Sequence, residues 1–391
     1  MKILVVCQYY YPEPFRLNDI CEELVNRGHQ VTVLTGVPNY PMGKIYKGYE
    51  KGKKREEDIN GVHVIRTWTY PRGTGTVKRI LNYFSYPISA WFKAEKLEGD
   101  YDVVLVNQQS PVMMAWPGIR YGRKYKKPVV MYCMDLWPAS LVAGGIGMSS
   151  LIAKFFHAIS KNCYCSMDKI LVTSRMFKGY LRDQFGIEES KMDSLPQYAE
   201  GIFEYLEPRK PDGTINLVFA GNIGTAQSMD TVIDAATKLP EVAFHIVGDG
   251  VELNRLKVKA GENVKFYGRQ PLEDMPKFYA LADAMIVSLQ ADSVLSLTLP
   301  GKVQSYMAVG RPIIGVADGE TKATIEEAQC GYCGKAENMD ELVENIRRFV
   351  VSKDKEQLGK NARKYYEEHF MRSRFMDKLE RELQSTKSWA G

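Results

Sequence analysis

The sequence predicts an α/β protein built from two doubly wound parallel sheets. Short apolar, β-branched runs alternate with segments of helical period, and the alternation stops and then restarts past the middle of the chain. Length agrees, since 391 residues exceed one ordinary core and suit two. So does composition: 45% hydrophobic and 25% charged residues is the balance of a globular chain.

The first set of strands reads KILVVC (2–7), VTVLT (31–35), VHVIRT (62–67), DVVLVN (102–107), VVMYC (129–133) and KILVTS (169–174). Continuous apolar strands of this kind are buried on both faces, which needs covering helices such as RLNDICEELVNRG (16–28). Residues 1–198 are therefore read as a first Rossmann-like domain. Residues 199–214 carry Pro, Gly and charge without period and are read as a linker. The pattern resumes in 215–370 with LVFAG (217–221), AFHIVG (243–248), VKFYG (264–268), AMIVSL (284–289) and PIIGVA (312–317), a second Rossmann-like domain. A break around Met371 to Ser373 precedes a C-terminal helix, 371–391, expected to return to the first domain. A cleft between two such domains is the expected site.

Several function classes lack their residues. The first strand leads into QYYYPEPF without G-x-G-x-x-G, so the dinucleotide fingerprint is missing, and G-x-S-x-G does not occur. His29, in a helix-to-strand turn, is read as a cap. Of the seven cysteines only CGYC (330–333) forms a CxxC, and with no second pair at finger spacing all are read as reduced and ordinary. No metal and no cofactor are expected. Met1 opens directly onto a strand, so the expected location is the cytoplasm. The longest uncharged run, LWPASLVAGGIGMSSLIA (136–153), holds Pro and three Gly and is read as a loop and a buried helix.

Net charge is +5, divided unevenly: residues 1–208 hold 27 Lys+Arg against 21 Asp+Glu, the remainder 25 against 26. The excess lies mostly in KGYEKGKKREE (47–57) and RYGRKYKK (120–127), which could meet phosphates or an anionic bilayer, or simply be solvated faces. No nucleic-acid partner is expected.

Four loops stand at strand ends in the second half. Gly221, Asn222, Gly224 and Gln227 follow LVFA, and glycine lets backbone N–H groups approach a phosphate. Gly248 and Asp249 belong to a Gly-Asp-Gly turn, Gly268 and Arg269 to the next turn, and Thr298 and Leu299 lead into a helix over about 300–309 with Lys302, Gln304 and Ser305 near its start. In open parallel sheets ligands bind at this edge. An ammonium in the first turn of a helix opposes the helix dipole unless an anion joins it, so Lys302 marks a phosphate site.

Five stretches, in order, resemble the family 4 glycosyltransferases of the GT-B fold over nearly the whole chain: residues 1–49, MYCMDLWPAS, LVFAGNIGTAQSMDTVIDAA, VGDG with Arg255 downstream, and LPGKVQSYMAVGRPII. The opening stretch, with VPNYPMGKIYKGY, looks most like the bacterial subgroup that builds O antigens and other surface polysaccharides, including transferases of deoxy-amino sugars. The resemblance implies a retaining, metal-independent transferase with a nucleotide-sugar donor, UDP-linked, in the C-terminal domain. It implies an acceptor, a polyprenyl-diphosphate-linked glycan, in the N-terminal domain, and peripheral contact with the inner membrane face. It places Lys302, Asp135 and Asn107 as catalytic residues, and Glu13, Arg16, Tyr40, Asp135 and Trp137 on the acceptor side. KRILNYFSYPISAWFKAEK (78–96) would be the interfacial segment or an ordinary amphipathic helix.

The chain departs from the family pattern. Its two glutamates fall at Leu297 and Ser305, its first-loop arginine and lysine at Asn222 and Gln227, and its usual histidine at Asn107. Ser305 or Gln304 then becomes the candidate ribose contact. A UDP-sugar 2-epimerase of the same fold and a non-catalytic nucleotide-binding partner of a transferase are the alternative readings.

Overall fold

The computed structural model describes residues 1–73, 75–143, 151–210 and 212–389. The GGIGMSS part of the uncharged run (144–150) lies outside the described residues. Two compact units emerge, the first of 1–173, 177–195 and 376–391, the second of 174–176 and 196–375.

In chain order the first unit contains β1 (Lys2–Val6), α1 (Arg16–Asn26), β2 (Gln30–Gly36), β3 (Glu56–Ile59), β4 (Val62–Thr67), α2 (Thr76–Ala94), β5 (Val103–Gln108), α3 (Trp116–Tyr125), β6 (Val129–Cys133), α4 (Ala139–Ala143), α5 (Leu151–Cys165), β7 (Lys169–Val172), α6 (Phe177–Phe185) and β8 (Met192–Ser194). Sheet order is β3-β4-β2-β1-β5-β6-β7-β8. All neighbours are parallel except β3, which runs antiparallel beside β4. Ile3, Leu4, Val5 and Val6 are all fully buried, because a central parallel strand is covered on both faces.

The second unit contains β9 (Ile215–Ala220), α7 (Met229–Thr237), β10 (Val242–Val247), α8 (Leu253–Lys259), β11 (Val264–Gly268), α9 (Met275–Leu281), β12 (Ala284–Ser288), α10 (Gly301–Ala308), β13 (Ile313–Val316), α11 (Gly319–Glu327), β14 (Gly331–Gly334), α12 (Met339–Val351), α13 (Lys355–His369) and the start of α14 (Arg372–Trp389). Its sheet, β11-β10-β9-β12-β13-β14, is parallel throughout. Both sheets are doubly wound and Rossmann-like, the predicted class.

Some expectations need correction. Residues 199–214 are not a free linker: Ala199 and Phe203 are buried in the apolar cluster of the second unit, Phe203 stacked on Tyr279 with centroids 4.9 Å apart. Ser174 donates to the Leu297 carbonyl and Arg175 pairs with Glu320 at 2.7 Å, so this short stretch joins the second unit. From Met376 onward α14 packs in the first unit, where Met376, Leu379 and Leu383 are buried. His29 is no helix cap: its Nε2 meets Glu380 of α14 at 2.9 Å and its Nδ1 the chain's amino group at 3.1 Å. CGYC is mostly strand, with Cys330 and Cys333 free thiols; burial pushes the Cys330 thiol well up and the Cys333 thiol up to about 12. Helix α5 is only half buried, since Leu151, Ile152 and Phe155 are exposed.

Candidate functional site

In each doubly wound sheet the strand order reverses at one place, and the loops leaving the carboxyl ends there diverge to leave a crevice. In the second unit this switch lies between β9 and β12. The loops after these strands are tied together: the Gln290 amide donates to the Ala226 carbonyl at 3.0 Å and Ser288 Oγ to the Ser228 carbonyl at 3.2 Å.

Glycine shapes the edge. Gly248, at φ +140°, sits so close to Gly221 that a Cβ there would lie 1.8 Å from the Gly221 oxygen. A side chain at 248 would close the approach between the ends of β9 and β10. Gly221 donates to Val247 and Gly248 to Gly268, both at 2.9 Å, so three strand ends stand in a row. Exposed Asn222, Asp249 and Arg269 follow those ends. Gly224 precedes a short turn, Thr225–Gln227, that leads into α7 at Met229.

Helix α10 delivers Lys302 to this edge. It starts after Pro300 and stops at Gly310, whose φ of +71° suits the left-handed stop that glycine permits. Tyr306 fixes its position by donating to the Ala220 carbonyl and accepting from the Ala220 amide, both at 3.0 Å. The Lys302 ammonium accordingly reaches the β9 loop. It donates to Gln227 Oε1 and lies 4.1 Å from the Phe219 ring centroid, and a Cβ on Gly221 would sit 3.2 Å from it. No carboxylate pairs with it among the described residues, and burial pushes its pKa down to about 7. A desolvated ammonium, a helix N-terminus and a glycine turn together make a seat for phosphate.

The other donor-side residues sort by what they touch. Arg255 is spoken for: it pairs with Asp230 and Glu252, each at 2.8 Å, on an exposed stretch of α8. Gln304 is buried, and with its amide turned over it donates to the Pro300 and Gly301 carbonyls at 2.8 and 3.2 Å. Thr298 accepts from Thr321 through its carbonyl at 3.1 Å, and Leu299 is buried beside it. Ser305 Oγ lies 3.4 Å from Glu200 Oε2 and 3.3 Å from the Gly301 carbonyl. Glu200 lies in the aperiodic stretch 199–214, where nothing local in the sequence marks it as a site residue.

In the first unit the switch lies between β1 and β5. Glu13, in the loop after β1, is buried and accepts the amides of Tyr10 (3.2 Å), Asn39 (2.7 Å) and Tyr40 (2.6 Å). Burial pushes its carboxyl up to about 7 against those three bonds. It clips two loops together. Tyr40 joins Tyr9 and Phe15 in an aromatic cluster with centroids 5.3 to 5.5 Å apart. Arg16 opens α1, and its charge acts on the Tyr132 hydroxyl in β6.

Asn107 is buried one residue before the end of β5. Asp135 is half-buried in the turn after β6, and burial holds its carboxyl above the usual range, opposed by Ser140, the Leu136 amide, Ser110 and Trp137. Trp137 is fully buried, bonded to Ser110 Oγ at 2.8 Å and packed edge-on against Tyr83 and Phe156, so it packs as a core side chain. At the switch itself Gln8 and Gln108 each keep a buried, unbonded Oε1. Buried acceptors of this kind call for a donor, and polar residues ending apolar strands were the signal for them.

Two family models match the chain, "Glycosyltransferase Family 4" over residues 16–197 and "Glycosyl transferases group 1" over residues 206–365. With one match in each half, the chain is a glycosyltransferase whose first half matches family 4. Over 383 residues this glycosyltransferase is 25% identical to WcaI of Escherichia coli (strain K12), named as a colanic acid biosynthesis glycosyl transferase, covering 90% of the chain and 92% of WcaI. Its fold matches sucrose-phosphate synthase from Thermosynechococcus elongatus with a TM-score of 0.73 at 16% identity, covering 98% of each chain. HepE of Anabaena, solved with UDP and glucose, matches at 0.68 and 16% identity, covering 98% of this chain and 100% of HepE. Among the described residues no three His, Cys, Asp or Glu side chains gather as metal ligands would, and no helix is long and apolar enough to cross a membrane.

Proposed function

We propose that this glycosyltransferase moves a sugar from a UDP-linked donor to a lipid-linked glycan in surface polysaccharide assembly, at the inner face of the membrane and with retention of anomeric configuration. The observation that carries the donor half is Lys302, an ammonium without a carboxylate partner at the start of α10, against the glycine loop of the switch point. The UDP seen with HepE and the role in WcaI's name support the nucleotide and the setting.

In the proposed reaction the bond from the anomeric carbon to the diphosphate breaks as the acceptor oxygen bonds to the same face of that carbon. The departing diphosphate takes the acceptor proton. Negative charge grows on the phosphates, and Lys302 with the α10 N-terminus meets it there. No metal is assigned a part. Glu200, brought to Ser305 Oγ at 3.4 Å, takes over the ribose hydroxyls that the family's second glutamate would bind, so the carboxylate comes from another segment of the chain.

The test is nucleotide release. Purified protein given a UDP-sugar should free UDP only when a polyprenyl-diphosphate glycan is added, and NMR of the product should show the donor's anomeric configuration. Conversion of the UDP-sugar without acceptor would instead identify an epimerase. Failure to bind UDP, GDP or dTDP by calorimetry would sink the donor site and leave a non-catalytic partner. Glu200→Gln should weaken UDP more than 2′,3′-dideoxy-UDP; equal losses would rule out the ribose contact.

A further inference from the structure

Helices α2 and α5 of the first unit are apolar on two opposite faces. On α2 the inward face is buried at Tyr86, Ala90 and Ala94, while Val77, Ile80, Leu81, Ile88 and Phe92 are 71%, 47%, 46%, 48% and 59% exposed. On α5, Phe156 and Cys163 are buried while Leu151, Ile152 and Phe155 are open to solvent. The spacings 77, 80, 81, 88, 92 and 151, 155, 158 are helical, so each outer set forms a stripe. A helix at a protein–water boundary ordinarily turns a polar face outward. Between the stripes, with α3 as its floor, runs a groove of about 590 Å³ lined by Ile88, Trp91, Phe92, Phe155 and Ile159, with Arg123 as its charged member.

Charge is equally one-sided. Helices α2, α3 and α5 contain no Asp or Glu, but carry Lys78, Arg79, Lys93, Arg120, Arg123, Lys124, Lys154 and Lys161. Lys93 pairs with Glu56 and Arg120 with Glu95. Lys78, Arg79, Arg123, Lys154 and Lys161 enter no ion pair among the described residues. Apolar and aromatic side chains set among unpaired cations complement an anionic lipid surface, which supplies hydrocarbon and phosphate together.

We propose that the α2–α3–α5 face docks on an anionic bilayer, with Phe92 and Phe155 entering the acyl boundary, Arg79, Arg123, Lys154 and Lys161 meeting lipid phosphates, and the groove accepting one acyl chain. This deepens the lipid-linked acceptor of the proposed function by naming the surface that brings the enzyme to it. Binding is read without donor or acceptor, so its failure is separate from a failure of transfer.

The test is co-sedimentation of the full chain with vesicles. Vesicles of phosphatidylcholine mixed with phosphatidylglycerol should carry down the protein, and phosphatidylcholine alone should carry at least about tenfold less. Lys154→Glu with Lys161→Glu should lower partition by about tenfold or more, and Phe92→Ser with Phe155→Ser by about tenfold. Both variants should keep the parent's thermal midpoint and UDP affinity, since all four side chains lie outside the core and the donor site. Equal binding to neutral vesicles, no binding to either, or variants that sediment like the parent would overturn the proposal. So would a dimer that Phe92→Ser with Phe155→Ser dissolves, because the face would then be a protein interface.

Discussion

Lys302 is the residue whose energetics and function conflict. Burial holds its pKa at about 7, against the 10.5 of an ordinary lysine that an unfolded chain would approach, so between these values the unfolded chain binds more protons. Stability therefore rises with pH through that window, and below about 7 the full cost of the buried charge is present. Lys302→Met should raise the thermal midpoint by roughly 2–4 °C at pH 6, with the gain shrinking as pH rises, while diphosphate binding is lost; an unchanged midpoint at pH 6 would show that the ammonium is solvated. Ligand affinity runs the other way. A diphosphate raises the lysine's pKa, so above about 7 binding must take up a proton and UDP affinity should fall as pH rises. Calorimetry in buffers of differing ionisation enthalpy should show that uptake for UDP and none for uridine, and Lys302→Ala should abolish it.

At the scale of elements, loops held by single side chains decide the geometry. Glu13 bonds three amides from two loops, so Glu13→Ala leaves two buried N–H groups and one half-buried one without that acceptor. Its cost should be about 1–3 kcal/mol in urea unfolding of the first unit, with UDP affinity unchanged because the donor residues all lie in the second unit. Loss of UDP binding would show that Glu13 acts beyond its clip. The same loops show what a sequence can reveal. Strands and their order of appearance were legible, since burial on both faces writes itself as runs such as KILVV and VVLVN. Lys302 and the glycine turns were legible because a first-turn lysine and a strand-ending glycine are local anomalies. Glu13 as a clip, Trp137 as packing and the Ser305–Glu200 approach were not, because each depends on a partner 26, 27 or 105 positions away. Nor were the edge strands β3, β8 and β14, whose EEDI, MDS and GYCG carry no apolar run. The outer stripe of α2 was half legible: periodicity shows apolar residues, and only packing shows that one face of them has no cover.

Across the whole molecule the chain crosses between units more than once, since 174–176 join the second and 376–391 return to the first. The return is held by burial and charge together. Met376, Leu379 and Leu383 are buried, Arg27 meets Asp377 at 2.7 Å and Glu380 at 3.1 Å, and Lys387 meets Asp102 at 2.9 Å. Each buried aliphatic side chain contributes about 1.5–3 kcal/mol, whereas the surface pairs add about 1 kcal/mol or less each. Apolar contacts therefore dominate the anchoring of α14. Ending the chain at Phe375 should lower the stability of the first unit and spare the second, although the deleted residues follow the second unit in sequence. Hydrogen exchange can separate the two. Amides of β1, β2 and β7 should lose protection in the truncated chain, those of β9, β10 and β12 should keep theirs, and UDP should further protect only the latter set. Loss of protection in β9 and β10 on truncation would mean that the helix supports the donor half, and the division of stability drawn here would fail.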